Sequence, residues 1–322
     1  GAAFLVAALP ASSWAANATV PGRLIVDPPT LISLGFAWPI EGDDNRNASV
    51  KIEYRATGEA PWRTGLDLLR TQREEMFLRY AYNVTLPNQF AGSLFDLSED
   101  TEYEVRLTLT DPDGVSGAAV QTLKTRTRPE PKPATGGRVF HVYPPGYKGP
   151  TEQPAFFGLL QAYYQGSLGG DWSRASPPRV QAGDVIKVHA GVYRSRHDHY
   201  SHEINSGFTT CCGTPWDGTY YLTQKGTADK PIAIVAAGDG EVIFDGDGNT
   251  VLFNVMGSQY HYFEGLSFRN TGTVFEAGMK DIAGSTGLTV KRSKFSDIGT
   301  AVHSDWSGSR YFTLIDNDML GR

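Results

Sequence analysis

Cysteine is nearly absent from this chain of 322 residues: there are two, Cys211 and Cys212, and they are neighbours. Adjacent Cα atoms lie about 3.8 Å apart across a trans peptide, so such a pair closes a disulfide only through a strained ring. A disulfide framework is therefore excluded as the source of the fold, leaving a redox-sensitive kink or two buried thiols at that point. Sustained apolar periodicity of the helical kind is also missing, which argues against a helical architecture. An excess of basic charge is lacking: the formal net charge is -6, and a nucleic-acid binder would show a basic footprint. The same balance gives no general pull toward acidic polysaccharides, so such a partner requires a local basic cleft. No segment approaches the roughly 20 apolar residues of a membrane span. A phosphate-cradling glycine loop and a GxSxG elbow are both absent.

Turn-forming residues are plentiful, with 36 glycines and 19 prolines, and they favour many short strands. A hydrophobic share of 40% and a charged share of 20% suit a soluble globular protein, and the length calls for two domains. Ala2 to Leu9 form an apolar run too short to span a bilayer. Ser13-Trp14-Ala15 and Ala16-Asn17-Ala18 follow it with small-x-small cleavage patterns. Residues 1–18 thus read as the remainder of a secretory signal, with a buried N-terminal strand as the alternative. The expected location is secreted, extracellular or periplasmic.

From 24 to 128 the pattern is alternating strands broken by polar turns. Ile32, Leu34, Phe36 and Trp38 share one face at period two, as do Val50, Ile52 and Tyr54. Tyr103, Val105, Leu107 and Leu109 do the same before the turn Asp111-Pro112-Asp113-Gly114. Two such inner faces bury each other as a β-sandwich. Trp38, the run Val50 to Gly58, Trp62 and the stretch Leu97 to Leu107 together resemble the fibronectin type III family. Leu97 to Tyr103 match that family's tyrosine corner, where a Tyr hydroxyl bonds to nearby backbone. The segment Leu66 to Gln89 departs from it as a longer, partly charged insertion. The resemblance implies a spacer or binding module, and core packing for Trp38 and Tyr103.

Pro129, Pro131 and Pro133 make 129–137 a semi-rigid linker, and the second domain is expected over 138–322. It opens with Arg138 to Tyr143, then a short helix over Phe156 to Tyr164. The segments Gly183 to Tyr193, Gly226 to Gly238 and Glu241 to Gly248 follow, each a buried strand closed by glycine turns. This succession resembles the N-terminal coils of the pectate-lyase-like superfamily, which implies a right-handed parallel β-helix capped by that short helix. The expected fold class is all-β: a fibronectin-III-like sandwich followed by an incomplete β-helix. An internal repeat supports the same reading. Phe263, Leu266, Phe268, Asn270 and Gly272 line up with Val290, Ser293, Phe295, Asp297 and Gly299 at a constant offset of 27. That period belongs to a solenoid. A third coil begins at Tyr311 and breaks off at Arg322, where an unfinished solenoid would leave an open strand edge. Asn270 and Asp297 read as stacked turn residues.

The same offset also brings Glu264 beside Lys291 and Glu276 beside His303, and sets Asp305 next to the stretch after Gly278. The superfamily resemblance implies a polysaccharide-active enzyme. A lyase on uronic acids neutralises the sugar carboxylate with Ca²⁺, Arg or Asn and takes the C5 proton with Lys, Arg, His or Tyr. On that chemistry Lys291, Arg292 and His303 are candidate catalytic residues. Arg269, Lys294, Trp216 and Tyr220 are candidate substrate contacts. Glu276, Asp305 and Asp316 are a candidate cation site, with Ca²⁺ as the ion. The alternative for Glu264 and Lys291 is a surface pair worth under about 1 kcal/mol. A glycoside hydrolase would instead need two facing carboxylates.

His189, His197, His199 and His202 precede Cys211 and Cys212, a set of zinc or copper donors whose spacing fits no standard site. The alternative is a polar loop in which Trp216, Tyr220 and Tyr221 form an aromatic wall for sugar rings. Asp245 and Asp247, flanking Gly246, read as a tight turn. The expected function is a secreted polysaccharide-active protein, with β-elimination of uronic-acid glycans first, hydrolysis second and a non-catalytic glycan-binding adhesin third.

Overall fold

In the computed structural model the described residues are 16–77, 83–166, 177–194, 220–279, 283–305 and 308–321. The apolar run and first cleavage pattern of the expected secretory signal lie outside them. The chain divides into two compact units, Gly1–Glu130 and Pro131–Arg322. Among the described residues no helix is long and apolar enough to cross a membrane.

The first unit is a sandwich of two antiparallel sheets. One holds Leu34–Glu41 between Val20–Pro21 and Gln89–Leu94, with Leu69–Thr71 on its far edge; the other orders Val120–Arg126, Glu102–Thr110, Ser49–Ala56 and Arg63–Thr64. Alternation along the strands aims Leu34, Phe36, Trp38, Val50, Val105 and Leu107 into one core. Ile32 does not join them; it lies before the strand begins and is exposed. Trp38 is fully buried, and its indole N–H donates to the Gly22 carbonyl at 3.0 Å, so it is a core residue. The Tyr103 hydroxyl accepts from the Ser98 N–H at 2.9 Å, pinning the corner that leads into its strand. Part of the charged segment between 66 and 89 is built into the sheets as the Leu69–Thr71 edge strand, and Glu75–Phe77 and Asn83–Thr85 form a hairpin.

The second unit is a parallel β-helix, defined by two ladders. The first stacks Val139–Val142, Val185–Val188, Ile232–Ala236, His261–Glu264, Thr289–Lys291 and Thr313–Ile315. The second stacks Gly191–Arg194, Val242–Asn254, Ser267–Met279, Lys294–Ser304 and Asp318–Gly321. Phe263 pairs with Val290 and Phe268 with Phe295, so the sequence repeat is the hydrogen-bonding register of neighbouring coils. Other coils differ in length. The step from Ile234 to its partner Phe263 is longer than that from Phe263 to Val290, and the step from Val290 to Leu314 is shorter.

Inward side chains form a continuous ladder. Tyr193, Phe244, Phe268 and Phe295 follow one another in register, with ring centroids 5.2, 6.1 and 5.2 Å apart. Phe253 and Phe275 stack beside them at 5.3 Å. The corners stack as well. Gly265, Arg292 and Asp316 have φ of 71°, 46° and 53°, and Asn270 and Asp297 have 55° and 51°. Asn and Asp tolerate that left-handed conformation better than most residues, so these positions serve the bends. The helix Leu159–Tyr163 buries Leu159, Leu160, Ala162 and Tyr163 against the strands Val139–Val142 and Ala155–Phe156.

Because Phe268 contacts aromatic rings in the coils on both sides, truncation leaves a void that neither coil can fill. Phe268→Ala is expected to lower unfolding free energy by about 3–5 kcal/mol, read as a fall in the urea midpoint.

Candidate functional site

The bends at Arg292 and Asn270 divide the outward side chains of the β-helix among separate stretches of its surface. The sequence candidates fall into three groups.

In the first ladder Glu264 stands opposite Lys291, their charged atoms 3.8 Å apart. Glu264 also takes a 2.7 Å bond from the Arg292 guanidinium and a 2.8 Å bond from the Tyr262 hydroxyl. Lys291 is only 3% exposed, so its ammonium is withdrawn from a polymer lying on the surface. Arg292 occupies the left-handed corner and reaches Asp316 at 3.9 Å. Both cations therefore serve a carboxylate of the protein itself.

On the second ladder a groove of about 610 Å³ is lined by Glu241, Ser267, Arg269, Lys294 and Asp318, among others. Lys294 is exposed and lies in register between Ser267 and Asp318. Arg269 is held by the buried Asp245, whose Oδ2 accepts its Nε–H at 3.0 Å and an Arg194 N–H at 3.2 Å. The other oxygen accepts from the Asp247 N–H at 2.9 Å and the Asn270 amide at 3.2 Å. Burial alone would raise the Asp245 pKa, but the Asp247 N–H and these side-chain donors outweigh it and hold it below its ordinary value. In sequence Asp245 reads only as part of a tight turn. The turn is present as a register shift between Asp245 and Asn249, and Asp245 additionally organises two arginines.

Beyond the Asn270 bend, Glu276 pairs in register with His303. Phe275 and Ala277 on either side of Glu276 are core residues, so its carboxylate faces outward, yet it is only 5% exposed. His303 Nδ1 lies 2.9 Å from Glu276 Oε2 and 3.2 Å from Oε1. A carboxylate only accepts, so Nδ1 carries a proton toward Glu276, and the ring itself is half-exposed. Burial raises the Glu276 pKa; the His303 contact and the Gly278 N–H offset part of this, and the charge of Asp305 adds to it. Asp305 is tied by its N–H to the Gly278 carbonyl at 3.0 Å. A hydrogen-bonded acid behind an exposed imidazole is equipped to take up and return a proton.

The cation site expected from Glu276, Asp305 and Asp316 does not assemble. Asp316 lies at the Arg292 corner, and His303 faces both oxygens of Glu276. Among the described residues the one group of three metal-capable side chains that converges is His141, Glu152 and His189. Tyr220 is no surface platform: it pairs with Phe253, stacks on it at 4.8 Å and meets the edge of Phe244 at 5.3 Å. Tyr221 is buried beside it. Trp216, His197, His199, His202, Cys211 and Cys212 lie outside the described residues.

No family model matches the chain, and no curated protein matches it. Among solved structures it is similar to the Yersinia enterocolitica family 28 exopolygalacturonase, at 10% identity over 92% of this chain and 63% of that one, with a TM-score of 0.23. The chain thus spans less than two thirds of that protein, and so loose a likeness carries no argument about chemistry. The parallel ladders establish the fold by themselves.

Asp245 and Glu276 carry opposite pH signatures. The lowered Asp245 pKa gives stability that is present above its ordinary value of 3.8 and is lost as pH falls through the lowered value. The raised Glu276 pKa gives stability that is full below 4.5 and is lost as pH rises through the raised value. In urea unfolding across the acid range up to neutrality, Asp245→Asn is expected to cost about 1–3 kcal/mol at neutral pH and to flatten the acid limb. Glu276→Gln is expected to be at least as stable as the parent at neutral pH.

Proposed function

We propose that the second unit acts on polysaccharide, with His303 and Glu276 as its proton-transfer centre. The observation that carries this reading is the 2.9 Å contact between a buried carboxylate and a half-exposed imidazole on the outer surface of a β-helix. Glu276 fixes the tautomer and orientation of His303, and Nε2 then faces solvent as a base. A base of this kind suits removal of the C5 proton of a uronic-acid unit. The electron pair of that C–H bond forms the C4–C5 double bond as the C4–O bond to the leaving sugar breaks, and the departing oxygen takes up a proton returned by His303 or from water. The groove beside Arg269 and Lys294 also holds Glu241 and Asp318, so the exposed Lys294 is the cation it offers most directly to an acidic chain.

Hydrolysis is the second reading, and it is favoured by one specific observation. Asp305, whose N–H is bonded to the Gly278 carbonyl just after Glu276, supplies a second carboxylate beside the first. In this scheme the proton for the glycosidic oxygen passes through His303, the ring between Glu276 and solvent, and Asp305 activates water. Secretion and a fibronectin-III-like spacer role for the first unit belong to the same proposal.

A panel of polyuronates and neutral glycans separates these schemes. Elimination produces absorbance from unsaturated uronate ends; hydrolysis produces reducing ends without it. His303→Asn is expected to lower kcat by about 10²–10⁴-fold, and Glu276→Gln to lower it and shift the pH profile, with Lys291→Ala affecting stability more than turnover. Neither product on any glycan, with binding retained and lost on Arg269→Ala and Lys294→Ala, would leave a glycan-binding protein.

A further inference from the structure

A second constellation lies at the first rungs of the β-helix, away from the residues just discussed. Val139–Val142 and Val185–Val188 are adjacent parallel strands. Phe140 and Val142 are core residues, so His141 between them faces outward, and His189 leaves the end of the next strand. The His189 N–H donates to the Val142 carbonyl at 2.8 Å. The Tyr193 hydroxyl lies 2.9 Å from that same carbonyl and 2.8 Å from the His189 carbonyl, locking the two backbones together. As a result His141 Nδ1 and His189 Nε2 face each other at 3.0 Å.

The surroundings of this pair are those of a built site. Asp239 Oδ2 lies 2.7 Å from His189 Nδ1, and its other oxygen accepts the Ala190 N–H at 3.0 Å. A carboxylate only accepts, so the proton of His189 is on Nδ1 and its Nε2 offers a lone pair toward His141. Tyr143 stacks on the His189 ring at 4.1 Å and 9°, fixing its plane. The Tyr143 hydroxyl accepts the Glu152 N–H at 2.8 Å, which places that carboxylate beside the imidazoles. Glu152 Oε2 is 3.7 Å from His141 Nε2. If the two rings merely hydrogen-bond, with His141 Nδ1 as donor, then His141 Nε2 presents a lone pair to an oxygen that can only accept. A cation bound by His141 Nδ1 and His189 Nε2 removes that opposition, because the His141 proton then stands on Nε2 and faces the Glu152 carboxylate.

We propose that His141, His189 and Glu152 bind a zinc ion, with Asp239 as the positioning residue behind His189. One ligand atom from each of the three lies within 4.8 Å of the others. Closing them to bonds of about 2.0–2.2 Å requires movement chiefly of Glu152, which is 69% exposed, while both imidazoles are buried. Two imidazole nitrogens and one carboxylate oxygen suit Zn²⁺ and leave a fourth position for water. The Asp239–His189 bond is the carboxylate support that metal-bound histidines ordinarily have.

Calorimetric titration of the chelator-stripped full chain with Zn²⁺ tests the site, together with the shift in melting temperature. One tight equivalent is expected, lost in the His141→Gln/His189→Gln double variant. Asp239→Asn is expected to weaken Kd by about 10–100-fold, and Glu152→Ala to weaken it at least as much. Because the buried double variant risks misfolding, the two exposed carboxylates provide independent checks, with far-UV circular dichroism as the control for fold. Absence of a zinc equivalent in the parent protein overturns the proposal. So does parental affinity in the double variant, which places the zinc elsewhere, or in both Glu152→Ala and Asp239→Asn.

Discussion

Everything in the second unit depends on the hydrogen-bond register between parallel strands of successive coils. Parallel strands stack about 4.8 Å apart with evenly spaced bonds. Once one rung is paired, each side chain has as its nearest neighbour the residue one coil away. Phe268 therefore meets Phe244 and Phe295, and Glu276 meets His303. The same rule that builds the aromatic ladder inside builds the polar columns outside. A register slip by a single position would exchange the two.

The corners set which outward columns share a surface. Left-handed residues at Gly265, Arg292 and Asp316, and again at Asn270 and Asp297, turn the chain between strands. Glu264, Lys291 and Arg292 thus belong to a closed ion cluster before one bend. Arg269 and Lys294 line a groove after it, and Glu276 and His303 follow the next. Residues separated by only a few positions in sequence serve different environments. The two His-carboxylate pairs differ in the same manner. Asp239 supports a buried imidazole aimed at another imidazole, whereas Glu276 supports a ring that opens to solvent.

Much of this is legible in the sequence, and the reasons are local. Period-two alternation from Leu34 to Trp38 and from Tyr103 to Leu109 identifies buried strand faces, because in a strand the side chains must alternate. The spacing between Phe268 and Phe295 identifies two coils, because it recurs unchanged at the neighbouring positions. The cross-coil neighbours Glu264–Lys291 and Glu276–His303 follow from that spacing alone. It does not extend to Ile234, whose partner Phe263 lies farther along the chain than the repeat allows. Nor does it reach His141 and His189, whose strands are separated by a longer stretch of chain that includes the helix Leu159–Tyr163.

Composition and periodicity by themselves determined an all-β chain, a sandwich followed by a solenoid repeat, and the pairs one equal coil apart; the parallel β-helix was what the superfamily resemblance implied. Tertiary structure decided which of the polar residues are available for chemistry. Exposure and charge balance depend on every element that packs around a side chain. Lys291 and Lys294 look alike in sequence and stand in the same short stretch. The first is buried against Glu264, while the second is exposed on a groove. Tyr220 reads as a sugar platform until its strand pairs with Phe253 and draws it into the core. His141 has no neighbour in sequence to suggest a partner, and only the stacking of the first two coils brings His189 to it.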